Sequence, residues 1–290
     1  MEIFFSFLSA LFATSKDLLS KRFSFRMDGI TSTFTSFAYA LPFYLIALAV
    51  SYGLGAETFT LTPVFLGLVV LRSVTDTFAE GLKMHAFSHG DISLVATFFS
   101  LSPVFMLLLA PWITGDVPTL EGAFAVLLVV TGSIVLVYRP AAAHGKRQQR
   151  GVVLATAASL FFGLNSCFDR LAVQKGTPVF AGFTMTLLSA LFLAPLLVGR
   201  RDRWEVMRDH QAGLLLRGAL EVAFMVCKLY AARELAPAYL AGLQRISLVL
   251  SIIGGRVLFR EPEFLRRLAA GLIILAGVVL IALQQRPVTH

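Results

Sequence analysis

The sequence predicts an all-α integral membrane protein with ten transmembrane helices, arranged as two inverted five-helix repeats. Three observations support this prediction. First, 57% of the 290 residues are hydrophobic and only 14% are charged, whereas a soluble domain has about 25% charged residues. Second, apolar runs of about 20 residues, each long enough to cross a bilayer, recur along the whole chain. Third, the two halves of the chain resemble each other.

Ten apolar runs are separated by short segments that carry turn or charge signals. The predicted spans are approximately 2–20, 31–51, 63–83, 91–112, 119–138, 151–171, 179–199, 212–232, 237–257 and 266–284. The longest break, 139–150, contains Pro140, Gly145 and four basic residues. It divides the chain into a first five-helix repeat, 1–138, a basic cytoplasmic linker and a second five-helix repeat, 151–290.

A shift of 145 positions aligns the two halves without a gap. The matched positions include charges within spans, and such charges are informative because they are rare in membrane helices. The clearest pairs are Arg72 with Arg217, Asp76 with Glu221, Lys83 with Lys228, and Gly132 with Gly277. Because each half has an odd number of spans, the second half must cross the membrane in the opposite orientation.

The loops carry the opposite charge bias that inverted repeats require. The loop after span 2 has no Lys or Arg, whereas its counterpart after span 7 has four arginines. Basic residues concentrate in the odd-numbered loops, and the positive-inside rule assigns these loops to the cytoplasm. We therefore expect a multi-pass protein of the cell (inner) membrane with both termini outside.

The ends of the two halves carry related sequence patterns. The first is DISLVATFFSLSPVFMLLLAPWITGD at Asp91–Asp116, and the second is PAYLAGLQRISLVLSIIGGRVLFRE at Pro237–Glu261. With a glycine-bearing last span after each, this pattern resembles the drug/metabolite transporter superfamily, EamA type, over nearly the whole chain. The Gly-Glu turn of that family appears here as Gly115-Asp116 and Arg260-Glu261. The resemblance implies a ten-helix transporter.

Charged residues lie at helical spacing in span 3. Arg72, Asp76, Glu80 and Lys83 follow steps of 4, 4 and 3 residues, which places them along one helix face. A charge at the bilayer centre costs about 2.5–3.5 kcal/mol, and pairing Arg72 with Asp76 reduces this cost. We expect Lys83 to lie at the cytoplasmic rim of the span.

Span 8 repeats this arrangement, with Arg217, Glu221 and Lys228 on one face. By analogy with span 3, we expect Arg217 to pair with Glu221. The charged faces of spans 3 and 8 either line a central solute path or latch the two repeats together, and both interpretations stay open at this point.

Other polar residues lie within spans 6, 9 and 1. Asn165 and Asp169 are one turn apart in span 6, and Arg245 is an isolated cation in span 9 that requires a carboxylate partner, Glu221 or Asp169. Asp17 in span 1 is expected to pair with a neighbouring lysine, Lys21. The candidate residues for substrate binding or coupling are Arg72, Asp76, Glu80, Asn165, Asp169, Arg217, Glu221, Lys228 and Arg245.

The mixture of fixed cations and carboxylates suits a small amphoteric or anionic metabolite. Together with the resemblance, it predicts a secondary transporter that works by alternating access, with export as the expected direction. The alternative is a lipid or lipid-linked sugar flippase of the same fold. An enzyme is disfavoured, because no Ser–His–acid set and no metal-ligand cluster lies within one apolar region. An ATPase is disfavoured because the GxxxxGK[ST] phosphate loop is missing.

The expected partners are a small-molecule substrate, membrane lipids, and protons as the candidate coupling ion. Nucleic acid is excluded as a partner, because the net charge of +8 arises mostly from residues in loops, where the positive-inside bias explains them. No cofactor and no metal site are expected. The oligomeric state is either a monomer or a homodimer.

Overall fold

The computed structural model describes residues 2–55, 61–99, 101–114, 120–137, 146–197, 201–234, 240, 244, 246–261 and 263–284. Its α-helices are α1 (Glu2–Phe23), α2 (Gly29–Ala38), α3 (Leu41–Gly53), α4 (Pro63–His89), α5 (Ile92–Phe99), α6 (Ser102–Ile113), α7 (Leu120–Val137), α8 (Lys146–Lys175), α9 (Pro178–Leu193), α10 (Arg201–Asp209), α11 (Gln211–Glu234), α12 (Ile246–Phe259) and α13 (Phe264–Gln284). A short 3₁₀ helix, Ala194–Leu197, extends α9.

These helices form the predicted all-α membrane architecture. Three segments combine the length and the hydropathy of a membrane span within the described residues: Gly29–Gly53, Lys146–Lys175 and Pro178–Leu197. Large apolar side chains point outward, as in Ile46, which is 61% exposed, and Leu120, which is 91% exposed. Such a surface is costly in water and suited to lipid.

Within the described residues, two of the predicted spans are each broken into two helices. Span 2 breaks at Tyr39, between α2 and α3. Gly218 of α11 packs against this break so closely that a Cβ at position 218 would collide with the Tyr39 carbonyl oxygen. Span 4 breaks at Leu101, between α5 and α6. Pro103 lies in the first turn of α6, where its missing N–H is tolerated.

The helices pack as equivalent pairs across the two repeats. The first helix of one repeat packs against the third span of the other, in α1 with α11 and in α8 with α4. Likewise α12 packs against α1, while α5 and α6 pack against α8. The last spans, α7 and α13, pack against each other. This pairing is what two inverted copies of one five-helix unit produce.

Two glycines matched in the sequence occupy equivalent contacts between α7 and α13. A Cβ on Gly132 would lie 3.2 Å from the Ala270 carbonyl oxygen, and a Cβ on Gly277 would lie 2.9 Å from the Ala125 carbonyl oxygen. Ala270 and Ala125 are themselves related by the 145-residue shift. Each glycine therefore lets the two helix backbones approach closely, as small residues do in membrane helix pairs.

Polar side chains hold the ends of several helices together. Lys21, at the end of α1, donates hydrogen bonds to the carbonyl oxygens of Phe87 at 2.7 Å and Gly90 at 2.5 Å. The expected pairing of Lys21 with Asp17 is therefore wrong. The physical reason is that α4 ends beside Lys21 with unpaired carbonyl groups, which a buried lysine satisfies.

Glu261 and Arg267 form a second polar contact at this end of the molecule. Glu261 accepts a hydrogen bond from the backbone N–H of Ile92 at 2.6 Å, at the start of α5. Arg267 binds Glu261 at 3.0 Å and Asp91 at 2.6 Å. The loop after span 9 is thus tied to the loop after span 3.

The last five residues of the linker predicted at 139–150 are helical in the structure. Helix α8 begins at Lys146, so residues 146–150 are helical, while 139–145 lie outside the described residues. Arg147 donates to the carbonyl oxygen of Ser88 at 2.7 Å, and Gln148 donates to Asp91 at 3.2 Å. These bonds explain why the helix extends beyond the apolar run.

Replacing either matched glycine tests the contact between α7 and α13. Gly132→Ala and Gly277→Ala should each lower the free energy of unfolding by about 1–3 kcal/mol, because the added methyl overpacks a helix interface. Gly67→Ala is the control, since its Cβ would meet nothing within 4 Å and alanine is the better helix former. Thermal unfolding of the detergent-solubilised protein measures the effect. An equal response of all three variants would contradict the proposed packing role.

Candidate functional site

A central cavity of about 150 Å³ lies at the interface of the two repeats, with walls from α1, α4, α8, α11 and α12. Charged side chains dominate its polar lining. Four of the lining residues are cations and four are carboxylates: Lys16, Arg72, Lys83, Lys228, Asp17, Asp76, Glu80 and Glu221. Within a membrane, such residues are expensive and face protein or water-filled space.

One end of the cavity is organised by Asp169, whose side chain is fully buried behind the wall. Its Oδ1 atom accepts from Arg72 Nε at 2.5 Å, and its Oδ2 atom accepts from Lys228 Nζ at 2.6 Å. A single carboxylate of α8 thus binds cations from α4 and α11, so it links the first repeat to the second. Charge-assisted bonds of this kind are among the strongest in proteins.

The predicted pair of Arg72 and Asp76 is present. Arg72 Nη1 lies 2.8 Å from Asp76 Oδ2, and Asp76 Oδ1 accepts from Asn165 Nδ2 at 3.0 Å. Asn165 Oδ1 in turn accepts from Thr75 Oγ1 at 2.5 Å. Asn165 and Asp169 are therefore buried supports that orient Arg72 and Asp76 from behind the cavity wall.

The other end of the cavity is built around Lys83. Its Nζ atom lies 2.5 Å from Glu80 Oε1 and 3.3 Å from Asp17 Oδ1. The side chain of Lys83 is buried and lines the cavity, so the expectation that it lies at the rim is wrong. The reason is that α4 continues to His89, which places Lys83 nearly two turns inside the helix.

Lys16 is a cavity residue that the sequence reasoning missed. Its Nζ atom binds both carboxylate oxygens of Glu221, at 2.8 and 2.7 Å, and lies 4.0 Å from the ring centroid of Phe224. The available signal was a lysine within an apolar span, which requires a partner just as the arginines do. This pair joins α1 of the first repeat to α11 of the second.

The predicted pair of Arg217 and Glu221 is wrong, because Arg217 turns away from the cavity toward α2. It donates to the Ser32 carbonyl oxygen at 3.0 Å and to Thr35 Oγ1 at 3.4 Å, and it also binds Ser36 Oγ. Helix α2 has a run of Ser and Thr, and these neutral acceptors bind both Nη atoms of the guanidinium without a carboxylate. The Nε atom has no hydrogen-bond partner within the described part of the chain. Arg217 is not among the residues that line the cavity.

The charges of the cavity form two groups. We call Arg72, Asp76, Asp169 and Lys228 the Arg72 cluster, and Lys16, Asp17, Glu80, Lys83 and Glu221 the Glu80 cluster. Arg72 and Glu80 are eight residues apart on α4, which corresponds to about 12 Å of helix rise. Six of the nine candidate residues from the sequence thus belong to these two clusters, with Asn165 behind the first.

Arg245, the remaining candidate, lies outside the described residues. The two carboxylates considered as its partners are both engaged, Glu221 by Lys16 and Asp169 by Arg72 and Lys228. Among the described residues, no group of three or more His, Cys, Asp or Glu side chains is arranged to hold a metal ion.

The fold and the cavity together define a class of protein. A helical membrane protein of two inverted repeats, with a charged cavity between them, has the architecture of secondary transporters. The model of the EamA-like transporter family matches residues 1–138 and 149–283, and the chain belongs to that family. The resemblance seen in the sequence is thereby confirmed.

Solved structures support the same fold. In total 28 solved chains match, and one crystal structure among them has a TM-score of 0.66 with 16% sequence identity, covering 97% of this chain and 96% of that chain. At this identity the likeness shows the fold alone. No curated protein matches the chain.

Removing the shared carboxylate tests the Arg72 cluster. Asp169→Asn should lower the free energy of unfolding by about 3–5 kcal/mol, because Arg72 and Lys228 lose their common partner. Adding Lys228→Met should recover part of that loss, because Arg72 then keeps Asp76 as a balancing charge. Thermal unfolding in detergent measures both variants, with Asp209→Asn, at an exposed carboxylate, as the control. A double variant no more stable than the single one would contradict the shared-partner interpretation.

Proposed function

We propose that this protein is a secondary transporter of the inner membrane, which exports a small amphoteric or anionic metabolite by alternating access. The observation that carries the proposal is the charge lining of the cavity, with four cations and four carboxylates. A solute that bears a carboxylate, with or without an ammonium group, finds complementary partners there. A lipophilic cation would favour carboxylates without fixed positive charges.

The size of the cavity favours a small solute. Its volume is about 150 Å³, whereas sites for drug-sized molecules are about 300–1,000 Å³. A lipid or lipid-linked sugar, which is the alternative substrate class, would require a larger space that opens sideways to the bilayer. The volume therefore supports a metabolite of amino-acid or organic-acid size.

Ion pairs across the repeat interface support alternating access. Arg72 with Asp169 and Lys16 with Glu221 each join a helix of the first repeat to a helix of the second. Movement of one repeat against the other would exchange these partners, and a bound solute carboxylate could replace one of them. Path lining and latching are then two roles of the same residues.

Protons are the proposed coupling ion. Three carboxylates within membrane helices, Asp76, Asp169 and Glu221, are bound by cations in this conformation. A conformation that separates a carboxylate from its cation would favour its protonation, because a buried, unpaired charge is costly. A solute carboxylate that takes over a cation would thus release the protein carboxylate to bind a proton.

Transport by a double variant tests the proposed site. Arg72→Gln with Asp76→Asn removes both charges while keeping polar side chains of similar shape, so the protein should remain monodisperse. Uptake into proteoliposomes from a metabolite panel should fall at least about tenfold, as expected when a two-point charged contact is lost. The matched control, Arg266→Gln with Glu263→Gln, removes a partly exposed pair outside the cavity.

The outcome separates the two roles of this pair. Lost transport with retained thermal stability supports the solute path. Lost stability with retained transport per molecule would show that Arg72 and Asp76 only latch the helices.

The proposed orientation is tested with a reporter that is active only in the cytoplasm. Fused after His290, it should be inactive, and inserted after Ala142 in the basic linker, it should be active, because basic loops remain in the cytoplasm. Fluorescence or enzyme activity of the reporter in intact cells gives the result. An active reporter at the carboxyl terminus would reverse the orientation.

A further inference from the structure

A network of polar groups joins the two repeats at one end of the molecule, outside the cavity. Arg267 of the second repeat binds Asp91 of the first repeat at 2.6 Å. Glu261 of the second repeat accepts a hydrogen bond from the backbone N–H of Ile92 at 2.6 Å, and it also binds Arg267 at 3.0 Å. We call Asp91, Ile92, Glu261 and Arg267 the end lock. Two of its three bonds cross from one repeat to the other.

The end lock is largely shielded from solvent. Glu261 is 5% exposed, Arg267 is 7% exposed, and Ile92 is fully buried. The carboxylate of Glu261 packs against Gly255, because a Cβ at position 255 would lie 2.6 Å from Glu261 Oε2. Charge-assisted hydrogen bonds are about twice as strong as neutral ones, and the exclusion of water strengthens them further. The end lock is therefore a stronger link than an exposed surface ion pair.

Two further bonds between the repeats reinforce the end lock. Arg147 and Gln148 lie in the first turn of α8. Arg147 donates to the Ser88 carbonyl oxygen at 2.7 Å, and Gln148 donates to Asp91 at 3.2 Å. Asp91 thus binds side chains from both the first and the last helix of the second repeat. We call this end of the molecule, where α8 begins, the linker end.

The end lock connects two helices that wall the cavity. Phe99 of α5 and Ser251 of α12 both line the cavity, and α5 packs against α12. Asp91 and Ile92 stand at the start of α5, whereas Glu261 lies in the loop that follows α12. A path out of the cavity between these two helices at the linker end therefore requires the end lock to break.

The sequence does not repeat the end lock in the other half of the chain. The 145-residue shift assigns each end-lock residue a counterpart, and three of the four counterparts lack the required group. The counterparts are Ala236 for Asp91, Pro237 for Ile92, Asp116 for Glu261 and Gly122 for Arg267. Alanine has no carboxylate, glycine has no cation, and proline has no backbone N–H to donate. These four counterparts therefore cannot form any of the three bonds at the opposite end of the molecule.

We propose that the end lock is a gate, which makes the conformation closed at the linker end the more stable one in the transport cycle. The proposal rests on the proposed transporter function and specifies how its conformational equilibrium is set. Two inverted repeats of identical sequence would give two conformations of nearly equal energy. A bond network that is present at one end only removes this equality. Opening the linker end then costs the bonds of the end lock, and solute binding must offset that cost.

Access of a thiol reagent to the cavity from each face of the membrane tests the gate. Ser251→Cys places a thiol at a buried position of the cavity wall. A membrane-impermeant maleimide is applied to right-side-out and to inside-out vesicles, so that each face is probed separately. The reporter inserted after Ala142 identifies the face of the linker end. The native cysteines, Cys167 and Cys227, are buried, and the protein without Ser251→Cys gives the background rate.

The first variant is Arg267→Gln with Glu261→Gln, which removes one cation and one carboxylate of the end lock and keeps polar side chains. Labelling at position 251 from the face of the linker end should rise at least about tenfold, because opening no longer breaks charge-assisted bonds. Labelling from the opposite face should not rise. The matched control is Arg266→Gln with Glu263→Gln, which removes the same two kinds of charge from a pair within one repeat. This control should leave both rates unchanged.

A second variant, Asp91→Asn, keeps the test decisive if the double variant does not fold. It neutralises a partly exposed carboxylate and leaves Arg267 paired with Glu261. Only the ion pair between the repeats is lost, so labelling from the face of the linker end should rise by a smaller factor, about threefold. Thermal unfolding of each variant in detergent shows whether the fold is retained.

The failure of the gate and the failure of the proposed function are distinguishable. Unchanged labelling from the face of the linker end overturns the gate, and so does an equal rise from both faces, which would show a general loosening of the fold. Labelling requires no solute, so the transporter proposal stands if the gate fails while proteoliposomes still transport a panel metabolite. If labelling responds as expected and no panel solute is transported, the gate stands and the proposed solute class is overturned.

Discussion

The carboxylate of Asp169 holds the centre of this protein together. It is fully buried and binds Arg72 of the first repeat and Lys228 of the second. In a bilayer none of these charges can be left without a partner, because the hydrocarbon offers no solvation and the cost of an unpaired buried charge is several kcal/mol. The helices that carry the charges must therefore meet along one axis, and their apolar faces turn to lipid.

A cavity follows from the same constraint. Space of about 150 Å³ remains among the long charged side chains that pair across the interface. The pairs that close this space also join α1 to α11 and α4 to α8. Since the same contacts hold the repeats and line the cavity, the proposed binding of a charged solute would be coupled to movement of the repeats by competition for partners.

Duplication of the five-helix unit explains the similar packing of the two repeats, and divergence of matched positions explains the differences at the cavity. Gly132 and Gly277 keep equivalent contacts between α7 and α13, so this part of the interface is nearly symmetric. Arg72 and Arg217 began as equivalent positions but differ in their environment. Arg72 meets carboxylates at the cavity, whereas Arg217 binds the Ser- and Thr-rich helix α2. The loss of symmetry gives the cavity two chemically different ends.

The sequence by itself determined the class, the repeats and the residues of interest. Hydropathy established the membrane spans, and the 145-residue shift established the duplication, because charges within spans are too rare to match by chance. The Arg72–Asp76 pair was also predictable, since both residues lie on one helix face at a spacing of four. These are local properties, which depend only on positions along a single helix.

The tertiary structure alone decided which charges are partners. Lys16 with Glu221, Lys83 with Asp17 and Arg72 with Asp169 join residues that are far apart in the sequence. A charged side chain can bind a residue one turn away on its own helix or a residue on a neighbouring helix. The spacing of residues along one helix does not indicate which helix packs beside it. For the same reason the sequence assigned Glu221 to Arg217 and Lys21 to Asp17. The sequence does not show that neutral acceptors of α2 lie beside Arg217, or that carbonyl groups at the end of α4 lie beside Lys21.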